Sequence, residues 1–180
     1  MNDMYQEIID KYYKEDDELK RMLVEHSRDV ARKALAIAGA HPELNLDRQF
    51  VEEAAMLHDI GIAWTNAPGI HCHGDAHYIC HGVIGARLLR EEGYPRHALV
   101  CERHTGTGLT REQIERQNLP LPHEDFTPQT MEEKVICYAD KFFSKSHLGH
   151  CRTVEETARS LEKFGNDGVA LFLRWAAMFE

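Results

Sequence analysis

A chain of 180 residues is long enough to bury one sizeable core and too short for two ordinary domains, so one domain over residues 1–180 is expected. With 43% hydrophobic and 28% charged residues and no long Pro, Gly or Ser tract, the composition implies a folded globular protein and excludes extended disorder. A net charge of −9 without blocks of Lys and Arg interleaved with aromatics argues against general nucleic-acid binding, and the lack of a long uncharged apolar run argues against a membrane span, so the expected location is cytoplasmic.

Helical periodicity recurs along the chain and strand alternation does not, which predicts an all-α fold. Leu19, Leu23, His26, Val30, Ala34 and Ile37 step by three or four residues and share one face of a long helix, which Gly39 and Pro42 end. A second helix is predicted from Asp47 through Val51, Ala54, Ala55 and Leu57 to His58 and Asp59, with Gly61 as its stop. From Trp64 to Ala76, Pro68, Gly69, Gly74, His71 and His73 read as a loop or lid. His81, Ile84, Gly85 and Leu88 then share a helical face that Gly93 and Pro95 close, and His97, Val100, Cys101 and His104 line the next helix.

Thr110 with Gln113, Thr130 with Glu133 and Thr153 with Glu156 fit the reciprocal capping pattern of helix starts and predict three further helices. The middle one carries Met131, Val135, Tyr138 and Phe142 on its buried face, and Asp140 with them. The segment from Leu119 to Pro128 is its irregular lead-in. Breaks at Gly165 and Gly168 precede a last apolar helix through Leu171, Phe172, Trp175 and Phe179. The five cysteines, Cys72, Cys80, Cys101, Cys137 and Cys151, are odd in number and form no CxxC pair. They predict buried free thiols in place of disulfides or a thiolate zinc site.

Among 12 histidines, His26, His58, His81 and His104 fall at or near the apolar faces of four different predicted helices. A buried imidazole needs a hydrogen bond or a ligand partner, and four converging ones with two carboxylates point to metal ligation. Adjacent helical residues such as His58 and Asp59 diverge by about 100°, so the pair can reach two sides of a metal centre. A carboxylate can bridge two ions where an imidazole cannot.

The ordered series of His26, then His58-Asp59-Ile60-Gly61, then Asp140 within Tyr138-Ala139-Asp140-Lys141 resembles the HD superfamily of metal-dependent phosphohydrolases, in particular its HDIG-containing members. His81 in His81-Gly82-Val83-Ile84-Gly85-Ala86 and His104 in Glu102-Arg103-His104-Thr105-Gly106 resemble the two extra histidines of six-ligand, dinuclear members, including the HD-type hydrolases of symmetric dinucleoside tetraphosphates. The resemblance covers about residues 20 to 145, with helices of 153–180 expected to pack on that core. It implies a helical bundle with a metal site between helices, ligated by His26, His58, Asp59 and Asp140, with His81 and His104 adding a second position.

The activity this resemblance implies is hydrolysis of a small phosphorylated, nucleotide-like substrate by hydroxide generated between two cations bridged by Asp59. The oxygen and imidazole donors favour Fe or Mn, with Mg, Co or Zn as alternatives. Lys141, Arg103 and, on the His81 helix, Arg87 are the phosphate-contact candidates, beside backbone amides of the run Thr105-Gly106-Thr107-Gly108. His71, His73 and His77 are candidate loop contacts, and His41, His97, His123, His147 and His150 default to surface or helix-end roles. The resemblance also admits a dinuclear iron oxygenase of the HD superfamily that cleaves a carbon bond with dioxygen, and a non-catalytic metal and nucleotide sensor is a third option. The oligomeric state is left open, a homodimer among the options.

Overall fold

The computed structural model describes residues 3–180. Their helices follow the order α1 (Met4–Tyr12), α2 (Glu18–Ala40), α3 (Arg48–Leu57), α4 (His81–Glu91), α5 (Pro95–Arg103), α6 (Arg111–Arg116), α7 (Met131–Asp140), α8 (Val154–Leu161) and α9 (Asn166–Phe179). The all-helical expectation holds for the frame of the molecule. Five short strands decorate it: β1 (Thr65–Ala67), β2 (Cys72–His73), β3 (Ala76–His77), β4 (Phe143–Ser144) and β5 (His147–Cys151).

Local chemistry sets the helix ends. Asp17 and Asp47 cap α2 and α3 by accepting from the amides of Lys20 and Phe50, and Pro95 opens α5 where its missing N–H costs nothing. The reciprocal caps at Thr110–Gln113 and Thr153–Glu156 both form. At Thr130 only half forms: its hydroxyl accepts from the Glu133 amide, while the buried Glu133 carboxylate turns to the Gln129 amide and the Arg103 guanidinium. A charge-assisted pair with Arg103 outcompetes the cap. Gly168 does not break the chain as expected. The break is at Gly165, at φ +108°, and α9 runs through Gly168, where a Cβ would meet Thr107 Oγ1 at 3.3 Å.

α1 was not expected, although Tyr5, Ile8, Ile9 and Tyr12 carry helical spacing; it buries Ile8 and Ile9. Beyond its end the Tyr13 hydroxyl donates to the Ile60 carbonyl at 2.8 Å and accepts from the Ala63 amide, which ties the N-terminal segment to the turn after His58-Asp59. The segment expected as a loop or lid is a small sheet ordered β2-β1-β3, with β1 antiparallel to β2 and parallel to β3. Strands of two or three residues are too short to show alternation in sequence. A second hairpin pairs β4 with β5 and follows α7 directly.

One apolar core joins Ile9 of α1, Leu23 of α2, Leu57 of α3, Leu89 of α4, Ile136 of α7 and Phe172 of α9, so the C-terminal helices share it with the rest. A separate small cluster of Ile114, Leu121 and Phe126 lies beyond α5. Cys72, Cys101 and Cys137 are buried free thiols as expected, whereas Cys151 is exposed on the outer strand of its hairpin. No helix among the described residues is long and apolar enough to cross a membrane.

Candidate metal centre

Six side chains meet where helix ends converge. His58 is the residue after α3, His104 the residue after α5, and Asp140 the last residue of α7. Three helix C-termini, each with a negative dipole end, therefore point at one place, which favours a cation there. His26 reaches it from the middle of α2 and His81 from the first position of α4. Asp59 sits in the turn after α3. All six are buried.

They form two overlapping groups able to hold a metal ion: His26, His58, Asp59 and Asp140, and Asp59, His81 and His104. Within each, the donor atoms lie within 4.8 Å of one another. Asp59 is common to both. Its Oδ2 lies 3.0 Å from His58 Nε2 and 3.3 Å from His26 Nε2, while its Oδ1 lies 3.4 Å and 3.3 Å from the Nε2 atoms of His81 and His104. Asp140 Oδ1 is 3.1 Å from His26 Nε2 and 3.3 Å from His58 Nε2.

The backbone fixes the tautomers. In each of His58, His81 and His104, Nδ1 faces a carbonyl three residues earlier: Ala55 at 2.6 Å, Tyr78 at 2.7 Å and Cys101 at 2.7 Å. A carbonyl only accepts, so Nδ1 carries the proton, and Nε2 of the neutral ring is left as a lone pair. Two such lone pairs, on His81 and His104, face each other at 3.1 Å. Two acceptors at that distance repel unless a cation or a shared proton lies between them. Asp59 Oδ1 is buried and faces only the same two lone pairs, at 3.4 and 3.3 Å, with no hydrogen-bond donor beside it. Buried polar atoms without partners are costly, and donor atoms that approach without bonding geometry fit a bound divalent cation.

Charge balance without an ion follows the same layout. Burial opposes ionisation of Asp59 and Asp140, but His58 and Lys145 around the first, and Lys141 and the histidines around the second, hold both carboxyls well below their ordinary value. Burial likewise opposes a charge on His58, and the two carboxylates outweigh it and lift the imidazole to about 9. Burial wins at His81, pushed down to about 3, and at His104, also lowered.

Among the phosphate-contact candidates, Arg103 is engaged bidentately with Glu133 at 3.0 and 3.1 Å, and Arg87 is exposed on the outer side of α4. Lys141 is a half-buried strut that holds Asp140 Oδ2 and donates to the His104 carbonyl at 2.9 Å. The lysine that meets the carboxylate shared by the two groups is Lys145, on the β4–β5 turn, with Nζ 2.6 Å from Asp59 Oδ2. It also lines a cavity of about 410 Å³ with Ile70, Tyr78 and Ser144. No sequence signal marked it, because Ser144-Lys145-Ser146 reads as an ordinary surface turn. Tyr78 stacks on His81 with ring centres 4.6 Å apart.

The loop histidines stay outside the cluster: His71, His73 and His77 are exposed, and His77 Nδ1 caps the turn that leads into α4 by accepting from the Ile79 amide. His97, given a surface or helix-end role, lies in the first turn of α5 and is buried against Phe50 and bonded to Glu53 at 3.0 Å. His123, His147 and His150 are exposed and His41 ends α2, as expected.

A buried His and Asp cluster at converging helix ends defines a helical metal-binding class. The HD domain family model matches residues 23–144, and the chain belongs to the HD-domain family. It is 40% identical over 121 residues to an uncharacterized protein of Methanocaldococcus jannaschii, a stretch that is 66% of this chain and 64% of the relative. Two proteins named tRNA (cytidine(56)-2'-O)-methyltransferase are also similar. The one from Picrophilus torridus is 34% identical over 71% of this chain and 33% of its own length, and the one from Thermoplasma volcanium 36% over 68% and 32%. The chain thus spans under two thirds of the first relative and about a third of the methyltransferases. No solved structure gave a significant match.

Proposed function

We propose that the protein is a metal-dependent phosphohydrolase acting on a small phosphorylated, nucleotide-like substrate, with two divalent cations held by His26, His58, Asp59 and Asp140 and by Asp59, His81 and His104. The facing Nε2 lone pairs of His81 and His104, 3.1 Å apart, carry the two-cation reading. Membership of the HD-domain family supports hydrolysis. Bound divalent ions at such a site lower the pKa of water and neutralise phosphate oxygens.

The protein's own residues supply the rest. Asp59 presents one carboxylate oxygen to each group of donors and so fixes their spacing. Lys141 holds Asp140 and the His104 carbonyl in place, and Lys145 offers an ammonium at the mouth of the site to a phosphate oxygen that approaches Asp59. Tyr78, with its hydroxyl pushed up to about 12 mainly by burial, stays protonated and covers the open face of His81. Arg103, spent on Glu133, acts by bracing α5 against α7. The names of the two methyltransferase relatives make a nucleotide unit of RNA a substrate to test beside free nucleotides.

The test begins with metal analysis of protein purified without chelators, followed by phosphate release from a nucleotide panel with that metal restored. Asp59→Ala should abolish release; full activity in that variant, or substrate-dependent oxygen uptake without release, overturns the proposal.

A further inference from the structure

A second cavity, of about 320 Å³, has Tyr78 and His81 in its lining. Its walls come from two parts of the chain. Ile79, Leu109 and Leu119 belong to the small apolar cluster around Ile114 and Phe126. Leu161, Phe164 and Gly168 belong to α8, the turn after it and α9, outside the segment that matches the HD domain. Gly168 lets the start of α9 close on the cavity, since a Cβ there would press on Thr107 at 3.3 Å.

The lining is mostly apolar with a few polar groups, the make-up of a small-molecule site, and its volume lies in the range such sites occupy. Phe164 is 64% exposed, an aromatic ring left in solvent at the cavity wall. Gln113 is the most constrained polar group. Its Oε1 accepts from the Thr110 amide at 2.8 Å as part of the α6 cap, so the amide cannot flip and its NH₂ is the group left for a ligand. Thr105 and Thr107 supply hydroxyls beside it. A flat ring with acceptor atoms on its edge matches an aromatic wall and a fixed donor better than an alkyl chain does.

We propose that this cavity binds the nucleobase of the substrate, with Phe164 stacking on the base and the Gln113 amide donating to its edge, while the phosphate lies toward His81 and Asp59. The C-terminal segment then acts as the specificity element of the HD core. The placement of the phosphate rests on the phosphohydrolase reading; the binding of a base does not.

The probes are adenosine, guanosine, cytidine and uridine, titrated calorimetrically into the metal-loaded protein; they carry no phosphate, so binding is read without turnover. At least one should bind, and Phe164→Ala should weaken it about tenfold, the scale of one base–aromatic stack. Gln113→Glu keeps the capping pattern but replaces the donor with an acceptor, so it should weaken binding as much without lowering the melting temperature. In the metal-loaded enzyme the preference for a nucleoside 5′-phosphate over ribose 5-phosphate should fall in both variants. No nucleoside binding at millimolar concentration, or binding that neither variant weakens, overturns the base site even where phosphate is released. Binding that both variants weaken, with no phosphate release from any substrate, upholds the base site and overturns the hydrolase reading instead.

Discussion

Gly61 lies directly against the His81 carbonyl: a Cβ on Gly61 would sit 2.2 Å from that oxygen and 2.5 Å from the Gly85 amide nitrogen. The glycine after His58-Asp59-Ile60 therefore allows the backbone of α4 to come close enough to bring His81 to Asp59. Its φ is −84°, so space, and not backbone conformation, demands glycine here.

Gly61→Ala should consequently push α4 away, with a destabilisation of about 1–3 kcal/mol or more, the cost of overpacking a filled interior. Bound metal should drop from two ions to about one, because the displaced group is the one with His81. Thermal melting and metal analysis of the same preparation check both; an alanine variant with full stability and two ions contradicts the packing account.

His81→Ala and His104→Ala each remove one donor of the second group and leave His26, His58, Asp59 and Asp140 intact. Both variants should retain one tightly held ion per chain and lose most phosphate release. Loss of all metal from either would show that the two groups are a single site.

Lys145→Met separates two roles of the ammonium beside Asp59. Removing it strips a buried carboxylate of its ion partner, so the metal-free protein should lose about 3–5 kcal/mol of stability. A cation no longer repelled by that ammonium should bind more tightly, and the gap in melting temperature between metal-free and metal-loaded protein should widen. Turnover should fall at least tenfold. Unchanged metal affinity in this variant would count against the contact at 2.6 Å.

The metal-free protein should be most stable near pH 6.5. His81 is held in the fold at about 3, below its ordinary 6.5, so its contribution is complete above pH 6.5 and is lost as pH falls toward 3. His58 is lifted to about 9, so its contribution is complete below pH 6.5 and is lost as pH rises toward 9. Bound metal requires His58 neutral and should remove the alkaline decline. Melting temperatures in chelator over about pH 5 to 10 read this directly; a steady rise to pH 9 would be the wrong shape.

The cluster was legible because a histidine on an apolar helical stripe is conspicuous, and four on different helices leave few ways to satisfy them. His26, His58, Asp59 and Asp140 come together in one group and His81 and His104 join Asp59 in a second. Lys145 was not legible, since a hairpin of β4 and β5 folds an ordinary surface turn back onto Asp59, and no periodicity records that. Arg103 stands next to His104 in sequence but on another side of α5, where Glu133 claims it. The burial of His97 was half legible: it shares a helix stripe with Val100, Cys101 and His104, but its partners Glu53 and Phe50 lie on another helix that no spacing links to it. The small sheet between α3 and α4 has strands too short to leave a pattern.

In each of His58, His81 and His104 the Nδ1 proton is held by the carbonyl three positions before it, a main-chain support that no side-chain substitution removes. The tautomer of each ligand is therefore set by the main chain, while neighbours such as Tyr78 and Lys141 adjust only its packing. In practical terms the cage is portable: a designer could graft these three histidines onto other helix ends with their own preceding turns, and evolution could exchange the metal or the substrate without rebuilding the frame that aims them.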